Sequence, residues 1–276
     1  MKDMMHSLSK MRNLKSLYAS CYGFPVPAAG LVSLIEMSVL TLKHVDIACR
    51  LPVKSLMGDK ITYPSLQHLR TTYFDNWTAL SCPSLTDLRV DSYLLGEREE
   101  GIFCTPIMLP DMSLPLLKCL TVKQFGRKKA DTRRIEMFIR RNASTIQYLD
   151  VNEEVPVDLP DGGVVYSNLR SLKCSLLREI AASVFPVLQK LRTGHYGSPS
   201  SLPSLPVDSL WSLCISFHSE SLDAEQQVVE MIARLVNLKK LSFRRDSHHG
   251  HTLDLCPMFE GLHKLGCVHR IRFPTS

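Results

Sequence analysis

The sequence predicts an α/β solenoid: short parallel strands stacked into one sheet on the concave side, joined by helices and extended returns on the convex side. Three observations carry that expectation. An apolar-x-x-apolar-x-apolar frame recurs along nearly the whole chain. Between frames, several segments switch to helical spacing. A single frame with its return cannot bury its apolar face alone, so it needs copies of itself on either side.

In order, the frames are Leu14/Leu17/Ala19, Leu42/Val45/Ile47, Leu66/Leu69/Thr71, Leu85/Leu88/Val90, Leu117/Leu120/Val122 and Ile146/Leu149/Val151. They continue as Leu169/Leu172/Cys174, Leu188/Leu191/Thr193, Leu210/Leu213/Ile215, Leu238/Leu241/Phe243 and Val268/Ile271/Phe273. Two members lie two residues apart, as one face of a strand requires, and the first packs where the strand begins. One frame is weak, because leucine is common. A series of eleven with first anchors 19 to 32 residues apart is strong.

The intervals are unequal. Those of 19 residues leave room only for an extended or 3₁₀ return, whereas 28 to 32 residues hold a helix. The expected helices are Gly30 to Val39, Asp131 to Asn142, Leu177 to Val184, Ala224 to Leu235 and Pro257 to Leu265. Asp131 to Asn142 sets Ile135, Phe138 and Ile139 against Arg133, Arg134, Arg140 and Arg141. Ahead of Leu238, Val228, Val229, Ile232 and Leu235 form one stripe, with Asp223 and Gln226 placed for a capping box. Segments 96–111 and 155–163, rich in Glu, Pro and Gly, read as loops.

The stretches YPSLQHL (63–69), CPSLTDL (82–88), FPVLQKL (185–191), YSNLRSL (166–172) and VNLKKL (236–241) resemble leucine-rich repeats. Their aromatic-Pro-x-Leu opening is similar to the irregular repeats of F-box-type proteins. That resemblance covers nearly the whole chain and implies protein recognition, in a substrate receptor of a cullin-type ubiquitin ligase. The chain departs from the family at the eighth residue after each first anchor. There Tyr22, Arg50, Phe74, Tyr93, Phe125, Glu154, Leu177, Tyr196, His218, Asp246 and Ser276 replace the usual Asn or Cys, so other groups must bond the backbone. Both ends read as cut, which makes residues 1–276 a single repeat domain truncated at one or both ends, with no F-box pattern in it.

With 276 residues and 45% hydrophobic content, the chain is long and apolar enough for a sizeable core. Net charge is +6, short of a dedicated nucleic-acid binder, so nucleic acid is not the expected partner. Nine cysteines without a C-x-x-C, several at buried frame positions, point to reduced thiols and a cytoplasmic or nuclear setting. No apolar h-region opens the chain, and Ala28 to Leu42 is too short and too interrupted to span a bilayer. Asn76-Trp-Thr78 and Asn142-Ala-Ser144 match the glycosylation pattern by chance in that setting.

The candidate binding surface is the concave face, at two, four and six residues past each first anchor. It carries Arg70, Arg89, Lys123, Lys173, Lys190, Arg192, Lys240, Arg244, Arg270 and Arg272 against Asp46, Asp87, Asp91 and Asp150. From Lys173 onward these charges are all basic, so an acidic protein surface is the expected partner. Solvated strand-flanking cations are the bland alternative. The run from Gly126 to Arg134 suits a nuclear-import signal or a phosphate patch, but more simply the wet start of a helix. His248, His249 and His251, near Asp254 and Cys256, suit a metal chemically but lack structural-zinc spacing, so a polar loop is the plainer reading. Pro199, Pro203 and Pro206 read as a loop rather than an extended ligand. No phosphate loop, nucleophile elbow or H-E-x-x-H occurs, and Cys267 with His269 lacks an orienting acid, so neither an enzyme nor a cofactor is expected. A freestanding scaffold or inhibitor is the alternative to a ligase receptor.

Overall fold

The computed structural model describes residues 13–20, 34–48, 61–71, 80–92, 109, 113–124, 132–152, 163–174, 183–195, 208–217, 230, 232, 234–245 and 270–272. The chain divides into two compact units, residues 1–145 and 146–276. Both are built on parallel strands, with few helices among the described residues.

The first unit contains β1 (Ser16–Ser20), β2 (His44–Ala48), β3 (Ile61–Thr62), β4 (His68–Thr71), β5 (Leu80–Ser81), β6 (Asp87–Ser92) and β7 (Cys119–Gln124). Its main sheet runs β1-β2-β4-β6-β7, all parallel, and β3 pairs with β5 separately. The second unit contains β8 (Tyr148–Val151), β9 (Ser171–Cys174), β10 (Lys190–His195), β11 (Ser212–Phe217), β12 (Lys240–Arg245) and β13 (Arg270–Arg272), parallel and in sequence order.

Register explains why the frames are apolar where they are. Leu17, Val45, Leu69, Leu88 and Leu120 face one another across the first sheet, and Leu149, Leu172, Leu191, Leu213 and Leu241 across the second, where Ile271 is the backbone register partner of Leu241. Each column is continuous, so each leucine buries its neighbours' flanks as well as its own. Thr71, Cys174 and Thr193 take third-anchor positions and are buried with the apolar residues, which fixes the parity of their strands. Among the described residues the Oγ1 of Thr193 finds no hydrogen-bond partner.

A turn precedes β4, β6, β7, β9, β10 and β12. The N–H of Leu66 donates to Tyr63, Leu85 to Cys82, Leu117 to Leu114, Leu169 to Tyr166, Leu188 to Phe185 and Leu238 to Leu235. Pro64, Pro83, Pro115 and Pro186 take the second position, where the ring's fixed φ suits the turn and no N–H is needed. The residue that opens each turn is buried, and Tyr166 stacks on Phe185 with ring centroids 5.1 Å apart.

Two consecutive N–H groups then converge on one carbonyl of the preceding strand's lead-in. Lys43 and His44 donate to Lys15, Gln67 and His68 to Lys43, and Thr86 and Asp87 to Gln67. In the second unit Arg170 and Ser171 donate to Gln147, Gln189 and Lys190 to Arg170, Trp211 and Ser212 to Gln189, and Lys239 and Lys240 to Trp211, all at 2.8 to 3.1 Å.

A side-chain ladder runs along the turns, at the residue just before the first anchor. Thr41 Oγ1 donates to the Leu14 carbonyl at 2.9 Å, Ser65 Oγ to Leu40 at 2.8 Å and Ser84 Oγ to Pro64 at 2.6 Å. In the second unit Ser209 Oγ donates to Leu188 and Asn237 Nδ2 to Asp208, both at 2.8 Å. Side chains ahead of the strand therefore supply part of the backbone bonding expected from groups other than a ladder Asn or Cys. The eighth-position residues themselves lie outside the described residues.

Of the expected helices, Asp131 to Asn142 is found as Thr132–Arg141, with Ile135, Phe138 and Ile139 buried. Arg140 and Arg141 sit in its last turn, where cations favour the helix dipole. Asn142 ties it down, accepting from the Leu114 N–H at 2.7 Å and donating to Phe138 at 2.8 Å. That side chain is 2% exposed, so the Asn142-Ala-Ser144 sequence presents no accessible acceptor. Of the expected helix Gly30 to Val39, residues 34–37 are helical and residues 30–33 lie outside the described residues; it ends early because residues 38–41 turn the chain toward β2, where Thr41 donates to Ser38 as well as Leu14. Residues 230 and 232 are helical within the expected Ala224 to Leu235. Leu177 to Val184 lies outside the described residues except for the turn at 183–184, and Pro257 to Leu265 lies wholly outside them.

Candidate functional site

Residues alternating with the buried columns form outward columns, and the two units use them differently. In the first unit one column reads Ser16, His44, His68, Asp87, Cys119 and the next Tyr18, Asp46, Arg70, Arg89, Thr121. His44 and His68 are stacked, with centroids 4.5 Å apart and planes 10° from parallel. His68 Nδ1 lies 3.1 Å from Asp87 Oδ2, which also accepts from Thr86 Oγ1 at 2.6 Å. Burial first, and then its hydrogen bond to Asp87, pushes the Cys119 thiol up to about 12.

Charges alternate beside this column. Arg70 Nη1 reaches Asp46 Oδ2 at 3.3 Å and its Nε reaches Asp91 Oδ2 at 3.0 Å, while Arg89 Nε spans both Asp91 oxygens at 3.0 and 2.8 Å. Asp91 is 0% exposed. Parity places it on the outward side, and the two arginine side chains close over it. Together the columns line a groove of about 370 Å³ that includes Tyr18, His44, Asp46, His68, Arg70, Asp87, Arg89, Cys119 and Thr121. Arg70 and Arg89 thus serve partly as internal partners of a buried carboxylate, a use their spacing did not suggest. Lys123 lies in register with Asp91 and is half-buried.

In the second unit the columns are Tyr148, Ser171, Lys190, Ser212, Lys240 and Asp150, Lys173, Arg192, Cys214, Ser242, with Arg270 and Arg272 the backbone register partners of Lys240 and Ser242. Arg244 comes next along β12, in register with Ser216. Asp150 Oδ1 holds Lys173 Nζ at 2.8 Å. Lys190 places its ammonium 5.0 Å from the Trp211 ring centroid, a cation–π contact. Lys190 and Lys240 are exposed and Arg192 is half-buried.

Sequence reading missed three of these residues. His44 and His68 occupy the same offset in successive frames, so their stacking was available from register. Trp211, just ahead of β11, was not separable from a core aromatic. His248, His249, His251, Asp254, Cys256, Pro199, Pro203, Pro206, Cys267 and His269 lie outside the described residues, as does the basic run before Thr132. Among the described residues no group of three or more His, Cys, Asp or Glu side chains is placed to hold a metal ion. No helix among them is long and apolar enough to cross a membrane. Comparison with protein-family models, curated proteins and solved structures finds no match.

Proposed function

We propose that this chain is a leucine-rich-repeat protein that recognises an acidic protein surface through the outward columns of its second unit. The observation that carries the reading is the register there, which puts Lys190, Lys240 and Arg270 in one column and Arg192 and Arg272 in the next. Ser212 stands between Lys190 and Lys240, and Cys214 and Ser242 stand between Arg192 and Arg272, so short side chains separate these cations. Lys190 and Lys240 start two strands apart, about 10 Å at the usual strand spacing, which is comparable to the Debye length. Their fields add, and a carboxylate-rich surface is steered toward them.

The recurring x-Pro-x-Leu turn, the converging N–H pairs and the hydroxyl ladder support the repeat reading. On the resemblance to F-box-type repeats, the finer role is substrate receptor of a cullin-type ubiquitin ligase. Co-purification with the ligase adaptor tests that role. Partner binding without adaptor makes the chain a freestanding scaffold or inhibitor instead. For recognition itself, affinity capture is compared between the native chain and a variant carrying Lys240→Glu, Arg244→Glu, Arg270→Glu and Arg272→Glu. The variant is expected to lose the captured partner, and an unchanged yield removes the reading.

A further inference from the structure

The outward face of the first unit contains a site of a different kind. Along its second column and the buried carboxylate beneath it, Asp46, Arg70, Asp91 and Arg89 alternate in sign, each bonded to the next. The series ends on a cation. Arg70 is engaged at both ends, by Asp46 and Asp91, whereas Arg89 uses only Nε. Among the described residues its Nη1 and Nη2 hold no partner, and the next outward side chain in register is the neutral Thr121.

We infer that Arg89 and Thr121 form a recognition site for one carboxylate side chain, a glutamate or aspartate of a partner peptide. Asp91 fixes the guanidinium through Nε, so little orientational freedom remains to be lost when the fork is engaged. A planar carboxylate takes both Nη donors at once, and the Thr121 hydroxyl lies one strand away to donate to it. The groove also fixes the charge of its ligand. Asp46 and Asp87 line it with Arg70 and Arg89, so a doubly charged phosphate meets two carboxylates, while a single carboxylate is matched by the one unsatisfied guanidinium. Because the groove lies along the outward face of the strands, an extended peptide segment can reach it. The site stands independently of the docking proposed for the second unit.

The test is an NMR titration of the whole chain labelled at arginine side chains, with acetyl-Gly-Glu-Gly-amide, acetyl-Gly-Lys-Gly-amide and inorganic phosphate as separate probes. The glutamate peptide is expected to shift the Arg89 side-chain resonances, assigned by their disappearance in Arg89→Lys. Arg89→Lys keeps the charge beside Asp91 but loses the fork, and is expected to weaken the peptide about tenfold or more, as loss of a charge-assisted bond implies. Thr121→Val, nearly isosteric, is expected to weaken it less. The four-glutamate variant of the second unit is expected to bind it normally. No shift with the glutamate peptide, an equal shift with the lysine peptide, tighter binding of phosphate, or unchanged affinity in Arg89→Lys would each overturn the assignment.

Discussion

Lys173 Nζ and Asp150 Oδ1 lie 2.8 Å apart, in register on adjacent strands at the start of the second unit's sheet. Asp150 is the one acidic residue on the two outward columns described there, and this ion pair partly neutralises it. Every charged residue farther along those two columns is basic. The pair thereby sets the edge of the electropositive surface, and it gives a way to tune that surface without touching the core.

Asp150→Asn is expected to tighten binding of an acidic partner, because it removes the negative charge and leaves Lys173 uncompensated. The pair is only about 30% exposed on each side, yet open enough that its loss costs roughly 0–1 kcal/mol of stability. Binding measured at two salt concentrations checks this: the gain must shrink as salt rises.

The first unit's buried carboxylate is a stability element. Asp91→Ala leaves Arg70 and Arg89 without their shared acceptor, and a loss of about 2–3 kcal/mol is expected by chemical denaturation. Arg89→Ala should cost less, since Arg70 still reaches Asp91.

Parity is testable in the second unit. Leu241 is 0% exposed and Lys240 is exposed. Leu241→Asp buries a charge in the shared column and is expected to unfold that unit, whereas Lys240→Glu stays within about ±0.5 kcal/mol. Equal melting shifts would contradict the register.

Burial pushes the Cys82 thiol and the Tyr63 phenol up to about 12, and burial raises the Cys174 thiol as well. Groups whose pKa is raised by folding favour the folded state fully below their ordinary values. That contribution is lost as pH rises from about 9 through 12. Denaturation midpoints are therefore expected to hold through neutral pH and fall on the alkaline side, with Cys82 and Cys174 refusing thiol reagents until the chain unfolds.

The strands were legible because burial has a strict period of two, so Leu69, Leu88, Leu172 and Leu213 declare their own orientation. The helix at Thr132–Arg141 was legible for the same reason at period 3.6. Less visible was the traffic between neighbouring strands. Nothing local to Asp91 says that arginines from 2 and 21 residues away will cover it, since the pairing depends on register across strands. The ladder through Thr41, Ser65, Ser84, Ser209 and Asn237 was hidden similarly: each residue looks like an ordinary turn residue until the carbonyl of the preceding turn is placed beside it. Ser84→Ala should cost about 0.5–1 kcal/mol, a neutral hydrogen bond at a partly solvated rim.

The most direct test of the account is a hydrogen-exchange footprint of the chain with its captured partner. Protection is expected in β10 to β13, centred on Lys190, Arg192, Lys240 and Arg270, with the helix Thr132–Arg141 unchanged. Protection confined to that helix or to the turn rim, with β10 to β13 exchanging as in the free chain, would contradict it.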